Sequence, residues 1–236
     1  MGGAFAAIGL LAPLYVAAAG ALVSSVLLAL VMKEPPRSAQ RSGEQPRLRL
    51  FDRRYFPFIV VGVGTFLSFS MVSQTIGFYF QDRFVLDGQA TAQAVGMGMM
   101  VSASMSLFAQ SFLVRRAGMT PHRLIKVGLP ILLAGYPALL LAGSVPVLVG
   151  LMGFLGLGLG LVAPGFTAGA SLSVGPKEQG AIGGLVSACP AAGFVAGPLV
   201  GTSLYQWGPA YPYLCACLLL VPLTLYAWRL DRPQGK

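Results

Sequence analysis

Seven apolar stretches, uncharged but for Lys126 and Arg229 near the ends of two of them, divide this chain, at 10–32, 57–80, 91–114, 124–142, 147–171, 180–203 and 210–229. Each is close to the roughly 20 residues a helix needs to cross the hydrocarbon core of a bilayer. Lipid offers no water to backbone N–H and C=O groups, so a spanning segment must bond its own backbone or close into a barrel. A barrel would show segments of about 10 residues with strict apolar–polar alternation. These stretches are longer and uniformly apolar, so the expected fold is an all-α integral membrane protein with seven transmembrane helices. Only 10% of the 236 residues are charged, against about 25% in a soluble domain. The chain therefore has too little polar surface to coat itself in water. The first stretch does not read as a signal peptide, because no basic residue precedes it and it exceeds the length of an h-region.

The basic residues give the stretches a direction. Lys33, Arg37, Arg41, Arg47, Arg49, Arg53 and Arg54 follow the first, and Arg115, Arg116, Arg123 and Lys126 follow the third. Lys177 follows the fifth, and Arg229, Arg232 and Lys236 close the chain. If every stretch crosses once, fifteen of the sixteen Lys and Arg residues lie on one side, and Arg83 alone lies on the other. Short basic loops stay cytoplasmic, so the expected topology puts the C-terminus inside and the N-terminus of this chain outside. The net charge of +9 is then mainly a topological signal, with a secondary attraction to anionic lipid. No nucleic-acid partner is expected, since the charges sit in short segments between apolar blocks. Cys189, Cys215 and Cys217 fall inside apolar stretches and read as small hydrophobes. No disulfide, metal site or cofactor is expected.

The Pro-, Ser- and Arg-rich segment 33–56 reads as a cytoplasmic linker dividing the chain into one helix, 1–32, and a six-helix bundle, 57–236. A shift of 199 positions aligns Gly2 with Gly201, Gly9 with Gly208, Pro13 with Pro212 and Ala17 with Ala216. Each pair falls where one span ends and the next begins. Chance similarity between apolar helices is the competing explanation of so few matches.

The chain resembles the C-terminal half of a major facilitator superfamily transporter, preceded by the last helix of the N-terminal half. The resemblance covers essentially the whole chain. It implies two six-helix halves related as parallel repeats, with 33–56 as the loop between them. The seven spans would be the sixth to twelfth of twelve, and the expected partner is either the missing N-terminal half or a second copy. "GFVAGPLVGT" (193–202) resembles the Gly-x-x-x-Gly-Pro-x-x-Gly-Gly signature of the family's drug:proton antiporters, through Gly193, Gly197, Pro198 and Gly201. Here it falls in the eleventh helix rather than the fifth, and Thr202 replaces the final glycine. The same residues also suit a plain helix contact, because small residues every fourth position let backbones approach. Pro198 lacks the N–H that would bond the carbonyl of Phe194 and can bend the helix. "SFLVRRAGMTPHR" (111–123) resembles a degenerate copy of the family's loop motif through Leu113, Arg116 and Gly118. Arg115 stands where the motif has Asp, which favours a simple orientation signal over a gating role. "GFLGLGLGLVAPG" (153–165) looks like a phosphate-binding loop but has no strand–turn–helix context. Gly156 and Gly160 form a second small-residue face, and Pro164-Gly165 is expected to break or kink the helix.

No ionisable residue lies at the core of a span, so no coupling carboxylate is visible. Asp82 and Arg83 are expected to pair with each other or with water just past the second span, and His122 to be solvated. Ser70, Gln74 and Phe78 share helical spacing, as do Ser102, Ser106 and Gln110. Ser70, Gln74, Ser102 and Ser106 are candidates to bind polar atoms of a small-molecule substrate, with Phe66, Phe78 and Phe166 as an apolar wall. The family resemblance places the seventh, eighth, tenth and eleventh helices around the cavity. Helix–helix hydrogen bonding is the competing role for the same polar groups.

The leading expectation is an efflux permease for small, partly apolar molecules. An uptake carrier for a sugar or organic acid remains an alternative, as does an inactive fragment. An enzyme is not expected, since no Ser/His/Asp, Cys/His or carboxylate pair occurs at depth. A seven-helix receptor is disfavoured by the long linker and by the lack of an intramembrane lysine.

Overall fold

The computed structural model describes residues 12–31, 51–114, 116 and 118–229. Among these the chain is helical. Helix α1 spans Ala12–Val31, and its described side chains are exposed along its length. It belongs to one compact unit, Met1–Gln45, and the rest of the chain forms a second, Pro46–Lys236. The second unit comprises α2 (Phe56–Phe84), α3 (Gly88–Phe108), α4 (Pro121–Leu140), α5 (Val145–Leu172), α6 (Gln179–Trp207) and α7 (Tyr211–Arg229). All six, with short helical extensions on α3 and α6, are long and apolar enough to cross a membrane.

Local chemistry explains where the helices start. Proline in the first turn of α2, α4 and α5 gives up an N–H that has no intrahelical partner there. The Asp87 carboxylate accepts the Ala90 N–H at 2.7 Å and caps α3, and the Thr120 hydroxyl caps α4. Val85 ends α2 at φ 51°, a left-handed conformation unusual for a β-branched residue.

The buried core lies between α2, α4, α5 and α7. It contains Phe58 and Tyr79 of α2, Leu132 and Tyr136 of α4, Leu155 and Phe166 of α5, and Leu220 of α7. Helices α3 and α6 contribute little to it: among the described residues α3 buries only Ala94 and Gly98, and α6 mainly glycines. The outer surface is rich in large apolar side chains such as Val195, Leu199, Leu218 and Trp228, as a bilayer solvent permits.

Several expectations change in detail. Helix α2 runs on to Phe84, so Asp82 and Arg83 lie in its last turn rather than beyond it. Asp82 does not pair with Arg83 but accepts the Tyr205 hydroxyl of α6 at 2.6 Å. His122 is half-buried, edge-on to Phe58 at 5.1 Å. Helix α5 continues through Pro164-Gly165 to Leu172 without a break, because Pro164 sits among packed neighbours that hold the helix on both sides. Helix α6 likewise continues through Pro198. The third span ends in a π-helical turn, Ala109–Val114. The matches at Gly2 and Gly9, most of the 33–56 linker, Arg115 and the last seven residues lie outside the described residues, as do the side chains of Pro13 and Ala17.

Candidate functional site

Two seams of small residues position the site. On α6, a Cβ at Gly193 would stand 2.6 Å from the Phe66 carbonyl carbon, at Gly197 2.5 Å from Ser70 Cβ, and at Gly201 2.8 Å from the Met71 carbonyl oxygen. Helix α6 therefore rides directly on the backbone of α2. On α5, Gly156 faces the backbone of Ser102, and a Cβ at Gly160 would stand 2.7 Å from the Ser106 carbonyl oxygen. Helix α3 is thus held against α5 in the same way. Hydroxyls along α2, α5 and α6 bond back into their own helices, as Thr75 does to Met71, Thr167 to Ala163 and Thr202 to Pro198. The carbonyl of Pro198 gains an additional donor, a common adjustment in spanning helices.

Between the seams lies a cavity of about 440 Å³. Its polar groups are Ser73 and Gln74 of α2 and Ser102 and Ser106 of α3. Its apolar wall comes from Phe69, Met99, Met152, Leu155 and Phe194, with Leu139 beneath. The Gln110 amide donates to the Ser106 hydroxyl at 3.1 Å, leaving that oxygen able to donate onward.

The seven cavity candidates separate. Gln74, Ser102 and Ser106 come together on the wall. Ser70 lies one turn away, fully buried against Gly197, with no hydrogen-bond partner for its Oγ among the described residues. Phe66 and Phe166 pack edge-to-face at 5.9 Å beside the core, and Phe66 also meets Phe194. Phe78 lies toward the Asp82 end, half-exposed and 5.9 Å from the Tyr205 ring. Sequence spacing missed Phe69, Met99, Met152 and Phe194. Phe69 and Phe194 each adjoin a seam residue, Ser70 and Gly193, and that adjacency was the available signal.

The loop-motif residues stand apart from this cavity. Leu113 lies in the π-helical turn that follows α3, Gly118 takes φ +52°, and the Arg116 guanidinium lies 4.5 Å from the Phe112 ring. At the same end of the bundle Arg54 grips two carboxylates: Nη2 donates to Asp52 at 2.8 Å and to Glu178 at 3.1 Å. Nη1 makes a second bond to Glu178 at 3.2 Å. The hydrogen bonds that it donates to Asp52 and Glu178 raise the Arg54 pKa. The Glu178 carboxyl is held below its usual value by Arg54 and by the Gly175 N–H. This cluster ties the start of α2 to the turn between α5 and α6. The other end is tied by Tyr205 to Asp82 and by the Tyr79 hydroxyl, which donates to the Leu140 carbonyl at 3.4 Å.

Similarity to known proteins agrees with this architecture. A relative from Bacillus subtilis (strain 168), "Multidrug resistance protein 1", is 28% identical over 248 aligned positions. The match covers 97% of this chain and 60% of the relative, so the chain spans less than two-thirds of that protein's length. The family model described as Major Facilitator Superfamily matches residues 1–189. With most of its length matched by that model, and with membrane-length helices that enclose a cavity, the chain belongs to the Major Facilitator Superfamily.

Proposed function

We propose that the α2–α7 bundle is one wall of a secondary transporter that exports small, partly apolar molecules by alternating access. The observation that carries this reading is the cavity between the two seams, with one amide and a few hydroxyls set among aromatic and thioether groups. Such a lining suits a ligand that buries mostly apolar surface and is oriented by a few polar contacts. Met99 and Met152 add side chains that re-pack around different shapes. The name of the Bacillus relative supports a multidrug substrate range, and the mixed lining supports it independently. The uncharged lining favours this reading over uptake of an organic acid.

The described spans carry no Asp, Glu, Lys, Arg or His at mid-depth, so proton coupling is assigned to groups outside these helices. The opposite wall of the cavity is assigned to a second bundle, from a longer chain or from a second copy. We further propose that the end carrying Arg54, Arg123, Lys177 and Arg229 is cytoplasmic, following the positive-inside bias.

The test is binding and flux of lipophilic dyes, ethidium among them. The purified chain should bind dye in a Gln74-dependent manner, and flux in proteoliposomes should need the second bundle. Dye binding that is unchanged in both Gln74→Ala and Ser102→Val would sink the assignment of this cavity. Saturable flux from the 236-residue chain as a monomer would remove the need for a second bundle.

A further inference from the structure

A second groove, of about 540 Å³, lies between the start of α2 and the end of α7 and is lined by Phe56, Val60, Pro222, Leu223, Tyr226 and Arg229, among others. It shares no lining residue with the cavity between the seams. We propose that it binds one anionic phospholipid, with an acyl chain against Val60 and Pro222 and the phosphate at Arg229.

The groove has a structural cause. A Cβ on Gly64 would collide with Leu223, so α2 and α7 touch closely at that level. One and two helical turns nearer the basic end, Val60 and Phe56 take the place of Gly64, and their bulk keeps the helices apart. The result is a slot closed at Leu223 and open toward Arg229. From Pro222 to Arg229 is seven residues, about 10 Å of helix, which accommodates roughly half of an acyl chain. Val60 is half-buried and Leu223 buried, while Pro222, Leu225 and Tyr226 are exposed, so the slot faces lipid rather than the core.

The mouth of the slot has the chemistry of a phosphate site. Arg229 is exposed at the last turn of α7 and makes no ion pair among the described residues. Arg53 is exposed three residues before Phe56. Lys126 lies 5.9 Å over the Trp228 ring at the same end. Among the described residues this end carries Arg53, Arg54, Arg116, Arg123, Lys126, Lys177 and Arg229 against Asp52 and Glu178, and both acids already bind Arg54. The opposite end carries Arg83 against Asp82 and Asp87. Asp231, two residues further along the sequence, lies outside the described residues and is followed by Arg232. Phe56, Tyr226 and Trp228 supply the aromatic groups that settle at headgroup level. Charge and shape thus agree on a ligand with an apolar tail and an anionic head.

Native mass spectrometry of the full chain in detergent, titrated with phosphatidylglycerol or phosphatidylcholine, tests this. One tight phosphatidylglycerol should bind with roughly fivefold preference over phosphatidylcholine, the contribution expected of one basic side chain at a membrane surface. Arg229→Gln should abolish the preference, Lys177→Gln should keep it, and Val60→Trp should weaken binding of both lipids by filling the slot. No preference in the wild-type chain would overturn the proposal. So would a preference retained in Arg229→Gln, or one lost equally in Lys177→Gln, which would mean diffuse attraction to a basic surface.

Discussion

Replacing Gly193 with alanine adds one methyl group where the structure has no room for it. The new Cβ would lie 2.6 Å from the Phe66 carbonyl carbon and 2.8 Å from the Leu67 nitrogen, while ordinary contacts fall at 3.4–4 Å. Both obstacles are backbone, so no rotamer change relieves them, and α6 must move off α2 by about 1 Å. A radial gap of that size forfeits a quarter to a half of each dispersion contact along the seam, and overpacking of this kind costs about 1–3 kcal/mol. Alanine also gains about 1 kcal/mol of helix propensity over glycine on scales measured in water. Gly184→Ala separates the two effects. Gly184 lies on the same helix with nothing within 4 Å of its built Cβ, so it registers propensity alone. Unfolding of both variants by denaturing detergent, followed by circular dichroism, should place Gly193→Ala about 1–3 kcal/mol below Gly184→Ala. Gly197→Leu should be worse, with lower expression. Equal stabilities for the two alanine variants would refute the seam, because they would show that α6 is not seated on the α2 backbone.

Other outcomes follow from single contacts. Ser70→Ala removes a buried hydroxyl with no partner among the described residues, so stability should hold or rise, by up to about 1 kcal/mol. A fall would reveal a hydrogen bond at Ser70, and a loss of dye binding at unchanged stability would return it to the site. Val85→Gly should stabilise by about 1 kcal/mol by relieving the left-handed backbone at φ 51°, less glycine's greater freedom when unfolded; a melting shift downward would count against it. Glu178 has a lowered pKa, so its contribution is present above the unfolded carboxyl value and is lost as pH falls through the folded one. Acid should therefore loosen the α5–α6 turn in amide hydrogen exchange, and Glu178→Gln should abolish that pH step. In a background without the three native cysteines, Ser42→Cys and Ser144→Cys should label from opposite sides of the membrane; labelling from one side would defeat the proposed topology.

The span pattern was legible because it is set by one physical requirement, the satisfaction of backbone groups in hydrocarbon. Long apolar runs and charge-bearing loops follow from it directly. The small-residue faces were legible for a similar reason, since glycine at every fourth position has little use other than close approach. The cavity wall was read less completely. Helical spacing groups Ser70, Gln74 and Phe78 on one stripe, but a stripe about 12 Å long passes several neighbours. Ser70 meets Gly197 and is buried, Gln74 faces the cavity, and Phe78 reaches Tyr205 beyond it. Which neighbour stands opposite each turn is a tertiary fact, and the stripe alone does not contain it. Asp82 was misjudged for the same reason. Its partner Tyr205 lies 123 residues away, and only the seating of α6 on α2 brings the two together.

That seating also shapes what the cavity can do. Helices α3 and α6 come close to their neighbours at glycines, at Gly156 and Gly160 for α3 and at Gly193, Gly197 and Gly201 for α6. Contacts between backbones have little side-chain freedom and slide poorly sideways, so each seam fixes one helix against one partner. Helix α6 is bound to α2, and α3 to α5. The cavity occupies the space between these two pairs, with Phe69, Gln74 and Phe194 from one and Ser102, Ser106, Met99 and Met152 from the other. The cluster at Arg54 joins the start of α2 to Glu178, the residue just before α6, and so ties the same two helices that the glycine seam joins. The ties made by Tyr205 and Tyr79 hold α2 to α6 and α4 at the opposite end, and neither joins α2 to α3. The polar ties of α2 therefore run to its own seam partner at both ends and to α4 at the Asp82 end, while the packing of Phe66 on Phe166 joins α2 to α5.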